Sequence, residues 1–81
     1  MEAPAQLRKT LSIGAKVHVS AKGGWQRDAI AIVIAGPEPV TTRQGDDYYW
    51  WVEFVEPERD AENDGPYHQA HILSRYISDA T

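Results

Sequence analysis

Three sets of side chains in this chain are of the kinds that do chemistry or recognition. They are His18, His68 and His71; the acidic run Asp60-Ala-Glu-Asn-Asp-Gly65; and the aromatic residues Trp25, Tyr48, Tyr49, Trp51, Tyr67 and Tyr76. His68-x-x-His71 in a strand puts the two imidazoles on opposite faces, which is poor geometry for one ion. A zinc site needs three or four ligands together, so His18 and Glu53 would have to join from neighbouring strands. The acidic run places Asp60, Glu62 and Asp64 at alternating positions before Gly65, as a calcium loop does. Its twelfth position is His71 rather than a glutamate, and no helices are expected beside it, so an acidic turn is the simpler reading. Ser12, Ser20, Ser74, Ser78, Thr41 and Thr42 stand in no nucleophile elbow. Asp47 and Glu53 can be paired on paper as acid and base, but no spacing makes them converge. The chain has no cysteine, which excludes disulfides, thiolate metal sites and cysteine nucleophiles. The expectation is therefore no metal, no cofactor and no catalytic residue.

The aromatic set is the most informative. Extended peptides dock on aromatic ridges flanked by acidic loops, and surface tryptophans and tyrosines favour protein interfaces. The candidate surface is Trp25, Tyr49, Trp51 and Tyr67, with Asp46, Asp47 and Glu53 steering a basic partner. The competing uses of these rings are a small core and a face shared with a second copy.

Charge narrows the partner. The net charge is −4, with +4 over residues 1–27 and −8 over residues 28–81. Nucleic-acid binders are normally basic, because phosphate neutralisation dominates affinity. The balance argues against that class, leaving Arg8, Lys9, Lys16, Lys22 and Arg27 as a local basic edge. No run approaches a membrane span and the first eleven residues lack a signal-peptide core, so a reducing, cytoplasmic setting is the expectation.

Short strands must position these residues. Val17 and Val19 alternate with Lys16, His18 and Ser20, the two-residue period of a half-buried strand. Gly23-Gly24 marks a tight turn. A second strand over residues 28–35 has Ile30, Ile32 and Ile34 on one face and Ala29, Ala31 and Val33 on the other. The isoleucines are expected inward, and Gly36-Pro37 is expected to end the strand. Residues 41–47 then read as a polar hairpin loop. The third strand, Tyr48–Glu56, points Trp50, Val52 and Phe54 inward, because Glu53 on its other face is costly to bury. That places Tyr49 and Trp51 at the surface. A fourth strand covers residues 67–72, Leu73–Tyr76 suits one 3₁₀ turn, and Ile77 begins a short closing strand. The domain is expected over residues 13–77, with a flexible arm at 1–12 and a frayed tail at 78–81.

The whole is an all-β, partly open barrel of about five strands. Over residues 13–77 the order of parts resembles the SH3-like barrels of bacteria, including the nitrile hydratase β-chain domain and the type II dihydrofolate reductases. The likeness rests on Gly14-x-x-Val17, Trp25 and Ile72-Leu73-x-Arg75. Gly14-Ala-Lys-Val17 followed by Gly24-Trp25-Gln26 is similar to the reductase opening, Gly-Asp-Arg-Val followed by Ala-Trp-Gln. That family's pore lysine falls at Val19, and its Val-Gln-Ile-Tyr run falls at Gly65-Pro66-Tyr67-His68. The resemblance implies the fold and speaks against reductase activity. It leaves three functional expectations: a non-catalytic module binding a protein partner or its own copy, an oligomer with a ligand site at the subunit interface, and a KOW-like module touching nucleic acid.

Overall fold

Residues 11–80 are described by the structure, a computed structural model. Five strands form one antiparallel sheet: β1 Lys16–Val19, β2 Ala29–Thr42, β3 Gly45–Glu58, β4 Tyr67–Leu73 and β5 Ile77–Asp79, in the order β4-β3-β2-β1-β5. Two 3₁₀ turns, Ala21–Gly23 and Ser74–Tyr76, complete the set. Val17 and Val19 of β1, Ile72 of β4 and Ile77 of β5 all enter a single core. The two edges of the sheet therefore fold over the same interior.

The alternation expected of β3 is present. Trp50, Val52 and Phe54 are buried, while Trp51, Glu53 and Val55 are exposed. In β2 the faces are the reverse of the expectation. Ala29, Ala31 and Val33 are buried, and Ile30, Ile32 and Ile34 lie half-buried on the outer face. The reason is the neighbour: Ala31 pairs directly with Phe54, and Val33 pairs with Val52, which lies between Phe54 and Trp50 on the same face. A wall with large rings on one strand needs small residues on the next to reach native packing density.

Gly36-Pro37 does not end β2. The strand continues to Thr42, and the polar loop shrinks to Arg43-Gln44. Register shifts between Val33 and Glu38 absorb the break, as bulges do, and β1 flanks only the first part of β2, so the prolines sit on a local edge. Gly36 has φ 125°, and a Cβ there would lie 2.8 Å from Cε3 of Trp50. Only glycine allows this bend to rest on the ring. At the hairpin tip neither Arg43 nor Gln44 has positive φ, whereas Gly45 has φ 111°. The connection is thus an ordinary turn followed by a glycine bulge rather than a primed turn.

The expected frayed tail is also shorter. Ser78 and Asp79 pair with His18 and Val17 in the β1–β5 ladder. Of the expected arm, residues 1–10 lie outside the described residues, while Leu11 packs against the core.

Candidate functional site

The outer face of β3 and β4 carries the candidate site. Trp51 and His71 are cross-strand partners, and Tyr49 is two residues along β3. The imidazole lies flat between the two rings, with centroids 4.0 Å from Tyr49 and 4.7 Å from Trp51. It reaches back over β3 so that Nε2 meets Glu38 Oε1 of β2 at 3.2 Å. One side chain thus ties three strands together. Trp51 remains 36% exposed, so one side of this stack is open. Glu53 is exposed on the same face, in the row joining Ile32 to Gln69. An open indole beside two exposed carboxylates suits a cationic, planar group such as a guanidinium.

The expected surface does not form one patch. Trp25 and Tyr67 gather elsewhere, edge-on to each other at 5.7 Å, with Trp25 edge-on to Phe54 at 4.9 Å. Trp25 is therefore largely a lid on the core. Tyr67 is partly exposed, and its hydroxyl donates to Asp60 Oδ2 at 3.4 Å. The negative charge of Asp60 pushes that hydroxyl's pKa up. A groove of about 190 Å³ does bring Trp25 near Tyr49, between Gly23 and Tyr76 on the one hand and His71 and Leu73 on the other.

Asp47 is not a surface acid. It is 1% exposed. Ser74 Oγ donates to Oδ1, Arg75 Nε donates to Oδ2 at 2.8 Å, and the backbone N–H of Tyr48 donates to Oδ1 at 2.7 Å. Burial pushes the carboxyl's pKa up, but these hydrogen bonds outweigh it and hold the group below its ordinary value. Arg75 also donates to Gln44 and Thr42 at 3.0 Å each, clamping the hairpin tip to the second 3₁₀ turn. Of the acids expected to steer a partner, Asp46 and Glu53 are exposed, and Asp46 accepts from Thr41 at 3.1 Å. Ser74 has a carboxylate partner but is sealed at 0% exposure, so no substrate reaches it.

The acidic loop is a folded turn. Asp60 Oδ1 accepts the backbone N–H groups of Glu62 and Asp64 at 3.0 and 2.9 Å. Arg59 donates to the carbonyls of Asn63 and Gly65, and Gln26 donates to Asn63. Among the described residues no three of His, Asp and Glu converge as metal ligands. Of the basic edge, Arg27 is committed to the buried Glu58 by a two-pronged contact at 2.9 and 3.1 Å, which raises its pKa.

In the sequence alone His71 stands out only as a candidate metal ligand, and Glu38 does not stand out. The signal was available as an aromatic pair, Tyr49-x-Trp51, facing a histidine, but only the β3–β4 register makes it a stack. The chain matches no family model, no curated protein and no solved structure. No helix among the described residues is long and apolar enough to cross a membrane.

Proposed function

We propose that this chain is a non-catalytic interaction module of the SH3-like kind, whose docking surface is the Tyr49–His71–Trp51 stack with Glu38 and Glu53. The open face of Trp51 carries this reading. The core is complete without that ring, so its exposure is not a packing compromise, and the stack fixes its orientation before any partner arrives. The two carboxylates favour a partner segment that presents arginine or lysine to the indole.

The test is an array of immobilised 12-mer peptides of graded arginine, lysine and proline content, probed with the full chain. Arginine-bearing peptides should retain it, and Trp51→Ala should lose that retention while keeping the wild-type far-ultraviolet circular dichroism. Equal retention of Trp51→Ala, or loss of fold in it, would sink the proposal.

A further inference from the structure

The hydrogen-bonding direction of each strand residue follows from one contact. Val33 donates to the carbonyl of Ala15 at 3.0 Å and accepts from Gly14 at 2.7 Å. Its backbone groups therefore face the β1 side and not β3. Val52, opposite Val33, must then turn its own groups toward Ala70 of β4. Alternation along an antiparallel ladder makes Gln69, His71 and Leu73 point N–H and C=O away from β3. The same logic makes Trp51–His71 a closely spaced, non-hydrogen-bonded pair, in agreement with their ring contact. Among the described residues no strand flanks β4 on that side, so Gln69 and His71 are unanswered there, while the Leu73 carbonyl is taken by the first bond of the second 3₁₀ turn.

Free edges are normally blunted by lysine, proline or shortness. The opposite edge, β5, is three residues long. β4 is seven residues long, and Tyr-His-Gln-Ala-His-Ile-Leu holds no proline, lysine, arginine or carboxylate, in a chain where a quarter of residues are charged.

We infer that two copies of this chain pair antiparallel along β4, about a two-fold axis at Ala70. That register joins the middle of the strand to itself, with Gln69 and His71 of each copy supplying the ladder bonds. Gln69 meets the partner's His71, an amide beside an imidazole. Leu73 meets the partner's Tyr67 at the groove that Trp25 and Tyr76 line. Ala70 meets the partner's Ala70, the smallest side chain of the strand at the point of closest approach. No like charges oppose each other, although the chain as a whole carries −4. An extended segment of another protein would satisfy the same backbone groups. The neutral, self-complementary strand favours the second copy. The pairing keeps both outer faces on one side, so the two aromatic stacks become neighbours about 9 Å apart at the His71 Cα atoms, from strand spacing and rise.

Light scattering over a concentration series should give twice the 9.1 kDa mass of one chain. The chain has no cysteine, so a single introduced thiol reports the register. Ala70 faces the core at the sheet edge, 9% exposed, so the thiol of Ala70→Cys meets only its counterpart across the axis. The variant should form a disulfide-linked dimer under mild oxidation, because a non-hydrogen-bonded pair lies within disulfide reach. Ser78→Cys on β5 should stay a monomer on a non-reducing gel. Gln69→Pro removes an edge-facing N–H and should halve the mass with the fold retained; if it unfolds, the Ala70→Cys linkage decides. A single-chain mass at every concentration overturns the inference, with or without peptide retention. So does a dimer in which the Ala70→Cys thiol stays reduced. Trp51→Ala should leave the dimer mass unchanged, so failure of docking and failure of pairing are read separately.

Discussion

Two ties fasten the β2–β3 hairpin to the C-terminal part of the chain, and they are built on opposite principles. Arg75–Asp47–Ser74 is buried, with Asp47 accepting from two side chains and from backbone N–H groups. His71–Glu38 is at the surface, and its imidazole is held by flat ring contact as well as by the carboxylate. Burial makes the first tie strict, since any lost partner leaves a charge uncompensated in a poorly polarisable site. Exposure makes the second tolerant, since water replaces what is lost. The outer face built on the tolerant tie can change its side chains at little cost to the fold.

The largest expected effect comes from breaking the strict tie. Arg75→Ala strands the Asp47 carboxylate and should cost about 3–5 kcal/mol, a fall in melting temperature of at least about 12 °C by calorimetry. A loss below about 1 kcal/mol would show that water reaches Asp47 and would erase the contrast. Asp47→Asn keeps the shape but weakens the charge-assisted bonds, and should cost about 1–3 kcal/mol in urea unfolding at neutral pH.

Acid sharpens the same point. The folded pKa of Asp47 lies below its unfolded value, so its contribution is complete above the unfolded pKa, about 3.9, and is lost as pH falls through the folded value. Wild-type melting temperature should hold from neutral pH to about pH 5 and then drop, and Asp47→Asn should flatten part of that drop. An identical acid slope in the two proteins would contradict the assignment.

The smallest effect belongs to the exposed tie. His71→Ala removes one stacked ring and one surface hydrogen bond to Glu38 and should cost about 1 kcal/mol or less. A much larger loss would mean that β4 depends on this clasp for its place in the sheet.

The parts legible in the sequence were those where one face is polar. Glu53 between Val52 and Phe54 decided the orientation of β3, and Lys16 and His18 did the same for Val17 and Val19. β2 is apolar on both faces, so a period of two identifies the strand but not its inside. The choice was made by Phe54 and Trp50 on the neighbouring strand, which is tertiary information. Gly36-Pro37-Glu38-Pro39 carries every local sign of an ending. It fails to end β2 because the bulges put those prolines where no ladder bond is needed. The site divided for a similar reason. Tyr49 and Trp51 were placed by alternation, but Trp25 and Tyr67 belong to a loop and a strand start, and the packing of Trp25 on Phe54 and of Tyr67 on Trp25 has no periodic signature. Asp47 looked like one of two loop acids, and only the return of Ser74-Arg75 to the hairpin separates it from Asp46.

The three tryptophans sit at three depths: Trp50 sealed at 1% exposure, Trp25 half-covered over Phe54, and Trp51 open on the outer face. This makes the chain its own optical depth gauge. A dissolved quencher such as iodide should dim the long-wavelength part of the emission first, where Trp51 contributes, and leave the blue component of Trp50 nearly untouched. Any molecule that covers the stack would then shield the red component alone, and loosening of the interior would move the blue one.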